Sequence, residues 1–390
     1  MKTRITALVI IICIFLTILC GCANDNTNTE EVTEKTATKD TAGEVTTGEI
    51  GVIQAEEYGG ILFDLSIDEF NALGFDFGDS VNVRFDNGAT LDDIPYYTGY
   101  YVPIDELLIC GYPGSPHPKI ARNYGDSTWD EFQMTKDSKV TVTLNEKAKY
   151  LSTQELNDLE YSDKREDYES DIVFSNFREV SGGALREKGF YRSASPCDNQ
   201  HNRAQYANAL AEENGIKFAI NLSDNETEYL SYPEADDFVS VYYDDLYRDG
   251  NVLLLDLNAN YRADGFAKSV SESFLKMTES DGPCLIHCVE GKDRTGFVCV
   301  LLLALAEASS DEIIDDYMET YKNYYGITKE SQPDTYDAIL VNVYDFLYCI
   351  CEADKDVAID TLDLKAGGEN YLRKGGLTDD QINKIEAYIR

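Results

Sequence analysis

Between His287 and Gly296 the chain reads His-Cys-Val-Glu-Gly-Lys-Asp-Arg-Thr-Gly, with five residues between Cys288 and Arg294. A thiolate and a guanidinium at that spacing can face one tetrahedral anion from the two ends of a single loop. The apolar run Pro283-Cys284-Leu285-Ile286 before the loop predicts a buried strand. Residues 297–305 are apolar on every face and predict a helix sunk in the core. Strand, loop and helix in that order gather backbone N–H groups at a helix N-terminus, where an anion is favoured. Gly291 allows the tight fold this needs. Arg294 can grip two phosphate oxygens with its planar fork, which a lysine cannot. Val289, Glu290, Gly291, Lys292 and Thr295 complete the expected phosphate cradle.

The field that would hold a phosphate also favours a thiolate over a thiol. Cys288 is therefore the expected nucleophile toward phosphorus, through a cysteinyl-phosphate that water later cleaves. Thr295 is placed to hydrogen-bond the sulfur, and His287 to orient the loop. An acid must protonate the departing oxygen. Asp293, inside the loop, and Asp245, in Val241-Tyr242-Tyr243-Asp244-Asp245-Leu246, are the two candidates. Binding alone needs only Arg294 and the loop N–H groups, so a non-hydrolytic phosphate-binding protein is the alternative. Sulfur transfer is a third reading, which the Arg294-Thr295 ending disfavours. No metal or other cofactor is expected. The three histidines are far apart and no Cys-x-x-Cys occurs. The run from Asp256 to Asn260 lacks a calcium loop's sixth-place glycine and twelfth-place glutamate.

These residues resemble the tyrosine-phosphatase superfamily with the Cys-x5-Arg signature, most of all its atypical bacterial tyrosine and lipid phosphatases. Asn176-Phe177-Arg178 with Tyr191-Arg192-Ser193 resembles that group's opening motif. Asp315-Asp316-Tyr317 resembles part of its post-loop helix pair, and Tyr371-Leu372-Arg373 with Gly376-Leu377-Thr378 its closing helix. The likeness runs from about residue 171 to the end. It implies metal-free hydrolysis of phosphate monoesters, on phosphorylated proteins, phosphoinositides or inositol phosphates. It also implies Cys288 as nucleophile, Arg294 as clamp, Lys292 and Asp293 as activity-linked loop residues, and Asp245 as a catalytic aspartate. The group's Asp-Leu-Arg is replaced by Asn221-Leu222-Ser223, which weakens any borrowed substrate preference.

The elements that must position the loop alternate. Helix is predicted over 204–213, strand over 216–222 and 238–243, and helix over 266–277, 310–325, 336–352 and from Thr378. That order implies an α/β fold with a twisted, mainly parallel sheet flanked by helices and the loop at its C-terminal edge. The polar loop between Tyr191 and Arg203 is expected to bring Arg192 or His201 to the substrate. Arg178, Arg192 and Arg203 are candidates for a local positive spot. Residues 51–151 read as a small β-rich accessory domain, with strands near 80–85, 96–101, 107–110 and 139–144 and a hairpin cue at Asp86-Asn87-Gly88. It loosely resembles the β domain of S-adenosylmethionine hydroxide adenosyltransferases. Residues 152–170 read as a polar connector with a helical start near Thr153, and 171–390 as the phosphatase-like part.

Residues 1–22 carry a basic start, an apolar core and Leu19-Cys20-Gly21-Cys22, which resembles a lipoprotein processing box. Cys22 is the expected lipidated residue, on an exported protein anchored to the outer face of a membrane. Residues 23–50 are too polar to bury anything and read as a disordered tether. A formal net charge of -39 argues against nucleic acid or an anionic bilayer surface as partner.

Overall fold

The computed structural model describes residues 45–390 apart from 56–58, 104 and 236–237. The leader, Cys22 and nearly all of the tether lie outside the described residues. No described helix is long and apolar enough to cross a membrane.

Seven strands close into a barrel in the order β1-β2-β6-β5-β4-β3-β7. They are β1 (Ile50–Gln54), β2 (Ile61–Phe63), β3 (Ser80–Phe85), β4 (Thr90–Tyr97), β5 (Leu107–Cys110), β6 (Lys119–Arg122) and β7 (Lys139–Glu146). Two-residue alternation drives the closure: Val81, Val83 and Phe85 of β3 point inward with Phe63, Tyr96 and Val142. The turn after β3 uses Gly88 at φ +90, where the Phe85 N–H meets the Ala89 carbonyl at 2.9 Å. Thr46 bridges Thr143, so the barrel takes in residues that polarity had assigned to the tether. The strand expected over 96–101 lies earlier, as β4. Short helices α1 (Ile67–Ala72) and α2 (Thr128–Glu131) belong to the same part of the chain.

The connector opens in helix, at the place its sequence suggests. Helix α3 (Leu151–Asn157) packs against α11 (Pro333–Cys351), and its Gln154 is buried. The Gln154 amide accepts from the Thr98 N–H at 3.0 Å and donates to the Thr98 hydroxyl at 2.7 Å. Leu156 and Leu159 pack on the main core.

Five strands form the second sheet: β8 (Arg178–Glu179), β9 (Phe190–Ser193), β10 (Phe218–Asn221), β11 (Val252–Leu254) and β12 (Cys284–His287). Their order is β11-β10-β12-β9-β8, parallel except for β8, with β12 at the centre. Alternate residues feed two cores. Phe190, Phe218, Ile220 and Ile286 join one; Tyr191, Ala219 and Leu285 join the other. Helices α4 (Asp171–Phe174), α5 (Ala204–Glu213), α6 (Glu226–Ser231) and α7 (Val241–Arg248) precede β11, and α8 (Asp264–Met277) follows it. After β12 come α9 (Asp293–Leu305), α10 (Ser310–Tyr325), α11, α12 (Leu364–Lys374) and α13 (Asp379–Ile389). Helix α9 packs against β12, α10, α11 and α12, which explains why it carries no polar face.

One predicted strand, 238–243, is wrong. Val241, Tyr242 and Tyr243 have strand-like side chains, but the segment is helix α7, burying Tyr243, Asp244 and Leu246. The strand beside β10 on that edge is β11, which begins nine residues after Tyr243. Tertiary packing of one helical face overrode the local β preference.

Candidate active site

Strand β12 delivers His287 to the C-terminal edge of the sheet, and the loop 288–292 turns there into the N-terminus of α9. Gly291 has φ +69, and a Cβ at that position would lie 2.1 Å from the Ser193 carbonyl oxygen. The loop's own carbonyls are turned outward. That of Val289 accepts from the Ser195 N–H at 2.8 Å, and that of Glu290 from the Tyr324 hydroxyl at 2.6 Å. The Gly291 carbonyl accepts from Arg192 Nη2 at 2.8 Å and from Asn176 Nδ2 at 3.3 Å. With its oxygens so committed, the loop leaves the N–H groups of Val289 to Arg294 without a protein acceptor among the described residues. This is the geometry of an anion nest.

Cys288 lies in the same loop, 3% exposed. Thr295 Oγ1, on the first turn of α9, is buried and has no hydrogen-bond partner among the described residues. Arg294 Nη1 donates to the Leu257 carbonyl at 2.9 Å, which fixes the guanidinium against the loop following β11. Leu257 is held in turn, its N–H bonding the Leu222 carbonyl at 2.9 Å.

Behind the loop, three motifs far apart in sequence converge. Arg192 is fully buried and donates to Asp316 Oδ2 at 2.5 Å as well as to Gly291. Arg178 reaches Asp316 Oδ1 at 3.3 Å and the Thr320 hydroxyl at 2.9 Å. Asn176 accepts from Asn323 at 3.0 Å while donating to Gly291. Burial pushes the Asp316 carboxyl up, but the two guanidiniums outweigh it and hold it below the ordinary range. Arg192 therefore does not reach out to substrate as the sequence suggested; it braces the loop from behind. Nor do Arg178, Arg192 and Arg203 form a free positive spot, because all three are spent on internal partners.

His287 is buried between the Tyr243 hydroxyl, 2.6 Å from Nε2, and the Cys288 carbonyl, 3.3 Å from Nδ1. Burial pushes its pKa down to about 4, so it is neutral and orients the loop. Asp245 is not at the site. It sits exposed on α7 beside Lys217, Asn251 and Pro283, at the opposite edge of the sheet from the loop. That displacement is a direct consequence of α7 being a helix. Asp293 opens α9 next to Arg294, with its side chain 53% exposed and 3.8 Å from Lys292 Nζ. Partial withdrawal from water raises its carboxyl above the ordinary range, against the pull of Lys292.

The rim comes from the connector. Tyr161 donates to Glu290 Oε1 at 2.5 Å and stacks on Tyr324 at 5.0 Å between ring centroids. Asp163 accepts from Arg203 at 2.6 Å and lies 3.2 Å from His201 Nδ1. The Arg203 guanidinium lies over Phe174 at 4.5 Å, Tyr161 at 4.8 Å and Tyr324 at 5.0 Å. His201 is thus tied to the connector through Asp163. Lys292 Nζ sits 3.1 Å from Glu290 and 3.4 Å from the Tyr325 hydroxyl. Sequence reading missed Tyr161, Tyr324 and the Leu257 carbonyl. The position of the 255–257 segment was readable in principle, since ligand loops follow the C-terminal ends of parallel strands, but β11 had been placed elsewhere.

A buried cysteine, an open set of loop N–H groups and a clamped arginine at the end of the central strand of a mainly parallel sheet define an α/β protein with an anion nest. The family described as "Tyrosine phosphatase family" matches residues 173–390, more than half of the chain, and the chain belongs to that family. A Cupriavidus necator protein provisionally named a tyrosine-protein phosphatase is 40% identical over 47 residues, which cover 12% of this chain and 17% of that protein. Among solved structures, an uncharacterised conserved protein of Thermotoga maritima is 23% identical, with a TM-score of 0.21, covering 24% of this chain and 35% of that one.

Proposed function

We propose that the chain is a metal-independent phosphomonoesterase acting through Cys288, anchored by lipid on Cys22 to the outer face of a membrane, with phosphorylated proteins, lipids or inositols as substrates. The barrel serves as an accessory module. The observation that supports the chemistry is the loop itself: outside donors take the Val289, Glu290 and Gly291 carbonyls, and the N–H groups of Val289 to Arg294 keep no protein acceptor among the described residues. In the first step Cys288 Sγ attacks phosphorus, the bond from phosphorus to the ester oxygen breaks, and Asp293 gives that oxygen its proton. In the second, water attacks phosphorus and returns a proton to Asp293. The sulfur–phosphorus bond breaks and orthophosphate leaves. Thr295 Oγ1, which has no other partner among the described residues, donates to the departing sulfur. The loop N–H groups and Arg294 hold the equatorial oxygens throughout.

The test is hydrolysis of an aryl phosphate in the presence of a chelator, run beside Cys288→Ser. Turnover by the native chain and none by the serine variant is the expected result. Equal rates would remove the mechanism.

Asp293 must be protonated for the first step, so its contribution is present below its pKa and lost as pH rises through it. An arriving dianion raises that pKa further. Asp293→Asn is expected to lower kcat by about 10²–10⁴ for poor leaving groups, much less for p-nitrophenolate, and to flatten the basic limb of the pH profile. An unchanged limb would move the acid role elsewhere.

A further inference from the structure

The rim of the cradle carries a carboxylate that the proposed chemistry does not use. Glu290 lies inside the phosphate loop, two residues after the nucleophile. Its side chain is 27% exposed and lies 3.1 Å from Lys292 Nζ, and its other oxygen takes the Tyr161 hydroxyl at 2.5 Å. Burial works against its charge, but Lys292 and the Tyr161 phenol prevail and keep it ionised. Lys292 is the loop's one cation besides Arg294, and it is already shared with Glu290 and, at 3.8 Å, Asp293. A second phosphate on a substrate would thus meet a lysine already paired with the ionised Glu290. The neighbours beyond it are phenol rings: Tyr161 packs against the buried Tyr324 at 5.0 Å and against Tyr325 at 5.6 Å, with the buried Tyr321 on Tyr325 at 5.6 Å.

We infer that Glu290, held in place by Tyr161 of the connector, is a specificity determinant that rejects substrates carrying a second phosphate near the scissile ester. This rests on the proposed phosphate site and narrows its substrate class to aryl or alkyl monophosphates, excluding polyphosphorylated inositol headgroups. The connector is therefore a part of the substrate site, because removing the Tyr161 hydroxyl releases the carboxylate. Like charges brought together at a partly desolvated rim repel strongly, so a preference of about tenfold or more for one phosphate over two is expected.

Calorimetry on the full chain carrying Cys288→Ser tests this without turnover. The probes are phenyl phosphate and 1,3-phenylene bisphosphate, which differ by one phosphate on the same ring. The expected result is binding of the monophosphate at least about tenfold tighter. Adding Glu290→Gln, which frees Lys292, should bring the ratio to near one or invert it. Tyr161→Phe should move it part of the way. Equal affinities before the Glu290 change, or a ratio that Glu290→Gln leaves untouched, would overturn the inference while the phosphate site stands. Failure of both probes to bind, together with no aryl phosphate turnover in the native chain, would bring down the site and the inference with it.

Discussion

Gly291→Ala is expected to reduce kcat/KM for an aryl phosphate by at least about 10²–10³ while the protein stays folded. Two constraints act together. The residue has φ +69, where an L side chain costs about 1–2 kcal/mol. The added Cβ would also lie 2.1 Å from the Ser193 carbonyl oxygen and 2.8 Å from the Ala194 nitrogen. Those are backbone atoms, and Ser193 is paired in register with His287 through the central sheet, so they cannot step aside. The loop must shift instead. Its N–H groups converge only while the Gly291 carbonyl points back at Arg192 and Asn176, so any shift misaims several donors at once. Thermal unfolding and circular dichroism would separate this from simple unfolding. Near-native turnover in the alanine variant would show that the loop's N–H groups are not what holds the phosphate.

The loop could be anticipated because its residues act locally: a glycine for positive φ, an arginine fork, and a helix start with no polar face to follow. Helices α5 and α10 came out at their expected bounds for a similar reason, each having a periodic apolar face with clear ends. What sequence reasoning got wrong depended on distant partners. Tyr242 and Tyr243 resemble strand residues until α5 is seen packed against α7, with Asn208 accepting the Tyr243 N–H at 2.9 Å. Once that segment became a helix, Asp245 moved to the far edge of the sheet and dropped out as an acid. The connector misled in the opposite direction. Its polarity suggested a linker, yet Tyr161 and Asp163 are polar because they bond Glu290, His201 and Arg203. Arg192 likewise reads as a substrate cation until Asp316, 124 residues later, is found against it.

That buried pair carries the other large effect. Arg192→Ala leaves the Asp316 carboxylate buried with Arg178 alone at 3.3 Å, and removing one partner of a buried pair costs about 3–5 kcal/mol. For a region of this size, a fall in Tm of roughly 6–20 °C is expected. Arg192→Lys keeps the charge but cannot span the Asp316 carboxylate and the Gly291 carbonyl together, so it should retain more stability than turnover. The informative variant replaces the whole cluster, Arg178→Met and Arg192→Met with Asp316→Leu, because Arg178 also pairs with Asp316 and would otherwise be left without a carboxylate. Replacing a buried ion pair by apolar side chains of similar volume is often neutral or stabilising, so much of the lost Tm should return. Turnover should not, because the Gly291 carbonyl has still lost its 2.8 Å donor and the loop its brace. Recovery of stability and activity together would mean that Arg192 and Asp316 serve the fold alone. Recovery of stability with kcat still depressed places Arg192 as the residue that keeps the phosphate loop in shape.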